Sequence, residues 1–277
     1  VGADAISGLA LTNPLMAISA AFGAMVGIGG STLMSIRLGQ KDYKAAHAIL
    51  GNVIVLNVVI GLTLGLVLEL NLDAILRLFG ASDRTLPYAR AYMQILLFGN
   101  AFTHMYYGLN AQLRSTSRPI YAMYANIGTV AINTVLAYLF VVRLGWGIAG
   151  AAWSTLIAQM CALCWQFWLF SRKDSPVRLL RRYLRPQGRI MKEVLTIGLP
   201  QFLINTTTSL VAITIMRSMA EYGGDTAVGA YGIVNRLAMF MAFVVMGLDQ
   251  GMLPIAGYNF GAQKFHRLES VVKYTLV

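Results

Sequence analysis

Apolar residues run along this chain in long blocks that are almost free of charge. Seven blocks contain no Lys, Arg or Glu and a single Asp between them: 5–36, 48–68, 91–113, 119–142, 144–171, 194–216 and 237–263. Each exceeds the roughly 20 residues that a helix needs to cross about 30 Å of hydrocarbon. Inside lipid every backbone amide needs an internal partner, which a helix provides. The pattern predicts an all-α polytopic membrane protein with seven transmembrane helices and the start of an eighth near residue 267.

Residues 2–39 and 224–261 form a weak internal sequence repeat with an offset of 222 positions. The identities that carry it are Gly2, Ala5, Asn13, Leu15, Ala20, Gly29 and Gly39, which recur as Gly224, Ala227, Asn235, Leu237, Ala242, Gly251 and Gly261. Six helices separate the copies, an even number, so both point the same way. This predicts parallel six-helix repeats about an axis along the membrane normal.

The repeat also predicts the domain organisation. Residue 1 corresponds to residue 223, so block 194–216 has no counterpart at the amino end. We therefore expect a truncated bundle: residues 1–171 form an N-terminal lobe without its first helix, and 172–192 form a basic linker. Residues 193–277 then start a C-terminal lobe whose last four helices are missing.

The positions of the charges orient the helices. Of the 277 residues, 57% are hydrophobic and 12% charged, and the net charge is +11. Fifteen of the 22 basic residues fall on every second loop, and Lys273 follows the last of these loops. The positive-inside rule places those loops, at 37–47, 114–118, 172–192 and 262–270, in the cytoplasm and residue 1 outside. The basic residues are therefore topology signals, and we expect no nucleic-acid partner.

Soluble-enzyme chemistry has no support in the sequence. The chain has three His, no phosphate-binding loop and no Cys/His/Asp cluster with metal spacing, so we expect neither an enzyme nor a metal or organic cofactor. Cys161 and Cys164 have C-x-x-C spacing but lie in the middle of a helix, which favours buried apolar packing over redox chemistry.

Ionisable groups inside the bilayer are the first candidates for coupling to an ion, because a carboxylate there is disfavoured by about 2.5 kcal/mol or more. Asp249 is the one acidic residue in the apolar blocks, followed by the helix-weakening Gly251 and Pro254. It accepts a proton or cation during transport, or it is a structural carboxyl. His104, one turn after Asn100, is a second candidate, for which packing with a hydrogen bond is the alternative.

Uncharged residues suggest a substrate cavity between helices. The cavity candidates are Gln250, Asn205, Thr208, Gln159, Met239 and Phe243, with Met and Phe offering an adaptable apolar wall. Interhelical hydrogen bonds and ordinary packing are the alternatives for these side chains. Four further residues predict close helix packing or kinks: Gly29, Gly30, Pro200 and Pro254.

Several segments resemble multidrug and toxic compound extrusion (MATE) transporters. The start of the second lobe carries the most specific similarity, in Tyr222–Asp225, Gly232–Arg236 and Gln250–Ala262. In the first lobe, Gly29–Gly39 resembles the family's second helix. Arg114–Met123 resembles the loop into its fourth-to-fifth hairpin, and Gly145–Ala152 resembles the entry to its sixth helix. The resemblance covers nearly the whole chain.

The resemblance implies two six-helix bundles that export amphipathic, often cationic compounds in exchange for Na⁺ or H⁺. It also implies a first-lobe cation site, in which Asn133 and Thr155 match two of the family's ligands. Ala137 stands where the family has an Asp, and Thr208 where some branches have a Glu. Because these carboxylates are absent, Asp249 becomes the stronger candidate for the residue that couples transport to an ion.

We therefore expect a monomeric, cation-coupled antiporter in the bacterial inner membrane that exports small organic cations by alternating access. One alternative is a related flippase for lipid-linked or polyisoprenoid substrates, which would need basic residues in its cleft. A membrane-embedded enzyme would need paired acid and base or metal residues, and none pair in the sequence.

Overall fold

The computed structural model describes residues 3–79, 81–116 and 118–276. It does not describe the side chains of residues 3–7, 10, 213, 216, 217, 219–221, 223–233 and 236. The described helices are α1 Ala3–Gly39, α2 Tyr43–Leu70, α3 Leu72–Leu78, α4 Leu86–Phe98, α5 Asn100–Ser115, α6 Pro119–Ala137, α7 Gly147–Ser171, α8 Gly188–Gly261 and α9 Phe265–Leu276. None of the described residues lies in a strand. The predicted all-α architecture is confirmed.

Six described segments are long and apolar enough to cross a membrane. They are 11–39, 43–70, 119–143, 147–171, 188–212 and 237–261. The block 91–113, which predicted a further single helix, is divided at Gly99 between α4 and α5. The amide of Gly99 still donates to the Ile95 carbonyl at 3.1 Å, and the Thr103 amide donates to the Gly99 carbonyl at 3.1 Å. Gly99 therefore interrupts the helix for one residue without ending its path.

The connection between α6 and α7 depends on two glycines. A π-helical turn, Tyr138–Arg143, continues α6. Gly145 and Gly147 then adopt φ of 67° and 56°, the left-handed region that residues with a Cβ rarely enter. The ring of Phe140 stacks on Trp146 with centroids 4.9 Å apart. The chain can therefore reverse within a few residues and return as α7.

The core lies between α1, α2, α5 and α7. Val26, Leu50, Leu109 and Leu163 belong to one buried cluster, which also takes in Val194 of α8. A second, smaller cluster of Leu15, Leu72, Leu76 and Met93 lies where α1 meets α2, α3 and α4. We call the end of the bundle that carries Arg37, Arg114 and Arg172 the basic end.

The linker between α7 and α8 packs against the basic end. Val177 is fully buried, and the Leu179 amide donates to the Phe170 carbonyl at 3.0 Å. The Gln187 amide, at the start of α8, donates to Asn52 Oδ1 at 2.7 Å. Arg118 donates to the Asp174 carbonyl at 2.7 Å. These contacts fix the direction in which α8 leaves the first lobe.

The two ends of α8 contact α1 in opposite directions. Near its start, the Phe202 ring lies 4.8 Å from Phe22, and Gly198 packs on Gly29, so the helices are antiparallel. Near its end, Gly257 packs on Ser35 and Gly261 on Ile36. A straight helix would place Gly198 and Gly257 about 90 Å apart. The helical segment therefore folds back between its ends, as expected for the two apolar blocks 194–216 and 237–263.

The contacts at the end of α8 support the sequence repeat. Gly39 lies against Tyr258, and Ile36 lies against Gly261. The offset of 222 relates Gly39 to Gly261 and Ile36 to Tyr258, so the two contacts are equivalent. Ser35 faces its own counterpart, Gly257. Such reciprocal contacts are what a two-fold axis between equivalent helices produces. Of the repeat identities, Gly2, Gly224 and the side chains of Ala5 and Ala227 lie outside the described residues.

Large apolar side chains cover the outside of the bundle. On α6, Ile127, Val130 and Val135 are more than half exposed, and on α8, Phe240 and Val245 are as well. Contiguous apolar surface of this kind needs a partner, and a bilayer supplies it around helices of this length. The chain is a multi-pass membrane protein.

Candidate functional site

A cavity of about 100 Å³ lies inside the first lobe between α1, α4, α5 and α7. His104 on α5 faces it and is 1% exposed. Ser19 of α1 donates to Asn100 Oδ1 at 2.7 Å, and its Oγ lies 3.0 Å from His104 Nε2. Asn100 Nδ2 donates to the Gly61 carbonyl of α2 at 3.0 Å. Three helices thus position the imidazole.

Polar groups of α7 line the same cavity, and Asn133 of α6 contacts one of them. Thr103 donates to Gln159 Oε1 at 2.6 Å, and both residues line the cavity with Thr155. Asn133 Nδ2 of α6 lies 3.2 Å from Thr155 Oγ1 and 3.3 Å from Ser154 Oγ. The structure therefore brings together four candidates from the sequence: His104, Gln159, Thr155 and Asn133.

We name these seven residues the lobe cluster: Ser19, Asn100, Thr103, His104, Asn133, Thr155 and Gln159. Their hydroxyl and amide oxygens are the hard ligands that suit small cations, and the imidazole can accept a proton. The described residues contain no group of three or more His, Cys, Asp or Glu side chains placed to hold a metal ion. The arrangement suits a proton or an alkali cation rather than a transition metal.

The sequence pattern did not identify Ser19 or Thr103 as site residues. Both lie in apolar blocks that carry several other hydroxyl residues, and a lone Ser or Thr in such a helix usually bonds its own backbone. Their partners come from helices distant in the chain: Ser19 meets Asn100, and Thr103 meets Gln159. The signal that could have found Thr103 is its position one residue before His104.

A larger cleft of about 740 Å³ lies between the basic end of α5 and the carboxyl-terminal helices. Gln250, Pro254 and Tyr258 line it from α8, and Tyr274 lines it from α9. Arg114 of α5 also lines the cleft, and its guanidinium donates to Asn110 Oδ1 at 2.6 Å. Arg114 therefore contributes a positive charge to the lining of the cleft.

Asp249 is exposed beside the cleft residue Gln250 and makes no hydrogen bond or ion pair with another described residue. The structure does not bring it to the lobe cluster. Met239 and Phe243 are 47% and 64% exposed on the same half of α8. Asp249 and these apolar side chains therefore present a free surface along α8.

The polar candidates on the first half of α8 bond within their own helix. Asn205 Oδ1 accepts from Gln201 Nε2 at 3.0 Å, and Thr208 Oγ1 donates to the Ile204 carbonyl at 2.8 Å. Pro200 lies inside α8 and is exposed. These residues do not join the lobe cluster or line the cleft.

Neighbouring helices pack closely against two central glycines of α1, through backbone at Gly29 and through side chains at Gly30. A Cβ on Gly29 would collide with the backbone of Val194 and Gly198 in α8. A Cβ on Gly30 would lie 2.6 Å from Gln112 Nε2. Both positions therefore allow an approach that a larger residue would prevent.

The two cysteines depart from the sequence prediction. Cys161 and Cys164 are free thiols, and both are exposed on the outer face of α7 rather than buried. Cys161 lies in a shallow groove with Tyr124 and Trp165. The prediction of buried packing was wrong because α7 is apolar on every face, so its sequence does not show which side contacts lipid.

Comparisons with known proteins agree with this architecture. The family model MatE matches residues 1–139 and 200–277. The multidrug export protein MepA of Staphylococcus haemolyticus (strain JCSC1435) is 31% identical over 98% of this chain and 60% of its own length. MepA of Staphylococcus aureus (strain NCTC 8325 / PS 47) is 28% identical with the same coverage. The chain thus spans about 60% of the length of these relatives.

A solved structure has the same fold. A multidrug resistance MATE family transporter of the MOP superfamily in an outward-facing conformation superposes with a TM-score of 0.94 at 25% identity. The match covers 99% of this chain and 61% of that one. These relatives are transporters rather than enzymes, and the family model covers most of the sequence. The chain belongs to the MATE family of transporters.

Proposed function

We propose that the protein exports small amphipathic organic cations across a bacterial inner membrane in exchange for H⁺ or Na⁺. Family membership and the lobe cluster support this proposal together. The observation that carries it is the cavity in which His104 meets oxygen ligands from α1, α5 and α7. A buried polar group inside a membrane lobe lowers the stability of the protein. A role in ion coupling accounts for its presence there.

We assign the coupling ion to the lobe cluster, where Asn133 and Thr155 contribute oxygens and His104 contributes a proton acceptor. Asp249 and Gln250 are assigned to the substrate pathway, because Gln250 lines the cleft and Asp249 lies beside it. Tyr258 and Tyr274 offer aromatic faces to a cation, and Met239 and Phe243 offer an adaptable apolar surface.

The basic end faces the cytoplasm in this proposal, following the positive-inside rule. The lobes are residues 1–171 and 193–277, joined by the linker 172–192, and the protein works as a monomer. The lobes alternate between two arrangements, and ion binding in the first lobe shifts the balance between them. A flippase is the weaker candidate, because Arg114 is a single described basic group in the cleft lining and a pyrophosphate needs several.

The test uses the protein expressed from its complete gene in bacteria that lack their own multidrug pumps. Efflux of ethidium is followed at external pH 6, 7 and 8, with and without Na⁺. We expect His104→Gln to remove the stimulation by the coupling ion and to slow efflux about tenfold or more, because the proton acceptor is lost. The exposed His266 provides the matched control, and His266→Gln should export as wild type.

Asp249→Asn separates the two assigned roles in the same assay. We expect a higher apparent KM for ethidium with the ion stimulation retained, and Glu269→Gln, at another exposed acid, should change neither. Loss of ion stimulation in Asp249→Asn, together with its retention in His104→Gln, would transfer the coupling role to Asp249 and refute this assignment.

A further inference from the structure

Buried polar side chains lie along α5 between the lobe cavity and the cleft. Asn100, His104 and Gln112 are spaced in multiples of four on α5 and therefore lie along one face of the helix. His104 lines the cavity at one end, and Ser115 lines the cleft at the other. Asn57 of α2 lies against Gly108 between them. We name Asn57, His104, Gln112 and Ser115 the polar seam.

Several atoms of the seam have no hydrogen-bond partner in the protein. They are both side-chain polar atoms of Gln112, Oδ1 of Asn57 and Nδ1 of His104. Asn57 and Gln112 are completely buried. A buried amide without a partner costs about 1–3 kcal/mol, and native proteins commonly satisfy such groups with internal water. Internal water would satisfy these atoms of the seam.

Glycines make room for the amides along this path. Gly30 of α1 faces Gln112, Gly108 faces the Asn57 amide, and Gly23 packs on the His104 ring at 3.7 Å. An apolar core would fill these places with methyl groups, as Val53 and Leu109 do nearby. The combination of glycine and an unpaired amide occurs twice along the seam, at Gly30 with Gln112 and at Gly108 with Asn57.

Few titratable groups face His104. Tyr107 is the other titratable residue among the described residues that line the cavity, while α4 contributes Met93 and Leu97 and α7 contributes Thr155 and Gln159. The polar groups that α2 and α6 bring to this region are neutral amides, with Asn57 against Gly108 and Asn133 against Thr155. Arg114 lies ten residues further along α5, about 15 Å away. Glu69, at the other end of α2, accepts from Gln94.

We propose that the polar seam holds a chain of internal water molecules that relays protons between the cleft and His104. The inference rests on the proposed function and specifies H⁺ rather than Na⁺ as the coupling ion. The eleven residues from His104 to Ser115 rise about 16 Å, which five or six waters span at hydrogen-bond spacing. The amides of Asn57 and Gln112 stay neutral and orient the waters.

Each relay step moves one proton and no electrons. A hydronium in the cleft gives its proton to the first water of the seam, which passes another proton onward as it accepts. The last water gives its proton to a nitrogen of the neutral His104 imidazole, leaving an imidazolium and a neutral water. The reverse sequence releases the proton when the lobes change arrangement.

The experiment compares Gln112→Met with Gln166→Met in proteoliposomes that contain the protein from its complete gene. Gln166 of α7 is equally buried, and both its side-chain polar atoms are also unpaired, but α7 does not contribute to the seam. A pH-sensitive dye reports substrate-driven proton flux, and ethidium fluorescence reports substrate binding. We expect Gln112→Met to slow proton flux about tenfold with binding unchanged, and Gln166→Met to leave both unchanged. Asn57→Leu should repeat the effect of Gln112→Met.

A high-resolution structure of the whole protein provides the second readout, which does not depend on transport. We expect ordered water within hydrogen-bond distance of Gln112 Nε2 or Oε1 and of Asn57 Oδ1. Normal proton flux in a folded Gln112→Met protein, equal slowing in Gln166→Met, or a dry seam would overturn the relay. Substrate export without proton flux in wild type would also overturn it while leaving the export proposal intact. If wild type moves no substrate, the export proposal fails, and the water positions then decide the relay.

Discussion

His104 illustrates how neighbouring side chains determine what one residue can do. An imidazole alone in a membrane lobe would be an unpaired polar group. Ser19 bonds Nε2 and is itself held by Asn100, while Nδ1 has no partner in the protein. Fixing one ring nitrogen through a partner sets the orientation of the other. The residue is therefore positioned to accept a proton at the free nitrogen.

The hydrogen bonds of Ser19 should be measurable as stability. Ser19→Ala leaves Asn100 Oδ1 and His104 Nε2 without this partner in a buried site, which should cost about 1–2 kcal/mol. We expect a lower apparent Tm for the detergent-solubilised protein by fluorescence size-exclusion chromatography. Ser270 donates only to the His266 carbonyl of its own exposed helix, so Ser270→Ala should leave the Tm unchanged. Equal shifts for the two variants would show that Ser19 does not stabilise the lobe cluster.

Sequence reasoning singled out part of the lobe cluster and missed the rest for a physical reason. Charged or amide residues such as His104, Asn133 and Gln159 stand out in apolar blocks, because burying them is costly. Hydroxyl residues such as Ser19 and Thr103 do not, because they can bond their own helix. Which of them turns to a neighbouring helix depends on tertiary packing.

At the scale of helices, small residues set how closely α1 approaches its neighbours. Gly29 meets the backbone of Val194 and Gly198, whereas a Cβ on Gly27 would lie 3.6 Å from the Ala111 side chain, an ordinary contact. Two glycines two residues apart on one helix thus have different tolerances. The difference separates a packing requirement from a general preference for glycine in membrane helices.

Gly29→Ala and Gly27→Ala form a matched pair. The first should force α1 and α8 apart and destabilise the protein by about 1–3 kcal/mol, because backbone atoms cannot move aside as a flexible side chain can. The second should be neutral or gain up to about 1 kcal/mol, since Ala is a better helix former than Gly. Apparent Tm values measured in parallel would test this ordering, and a more stable Gly29→Ala protein would contradict the close contact.

The apolar pattern predicted where helices run better than where they break. Block 91–113 is interrupted at Gly99, where Leu156 of α7 packs so closely that a Cβ would not fit. This contact comes from a residue 57 positions later in the chain. No local pattern contains it, and the same limit explains why the exposed face of α7 was assigned wrongly at Cys161 and Cys164.

At the scale of the whole molecule, the two lobes meet at a contact that obeys the sequence repeat. Gly39 with Tyr258 and Ile36 with Gly261 are equivalent pairs, and Ser35 faces its own equivalent, Gly257. The axis between the lobes therefore passes near Ser35 and Gly257. The repeat in the sequence predicted this symmetry, because equivalent residues in parallel repeats must meet at the axis.

Alternating access requires the lobes to move relative to each other, so a covalent link at this axis tests the account most directly. A Cβ on Gly257 lies 3.0 Å from that of Ser35, close to the 3.5–4.5 Å typical of a disulfide. We would introduce Ser35→Cys and Gly257→Cys together, with Cys161 and Cys164 replaced by Ser. Ser35→Cys with Gly247→Cys is the control, since nothing lies within 4 Å of a Cβ at Gly247.

The measurement is ethidium efflux from cells that express this double-cysteine variant in the complete protein, before and after oxidation and again after reduction. The account predicts that the disulfide slows efflux about tenfold or more, that a reductant restores it, and that the control pair neither cross-links nor slows. A quantitatively cross-linked protein that exports ethidium as fast as the reduced form would contradict alternating access through separation of the lobes at this contact.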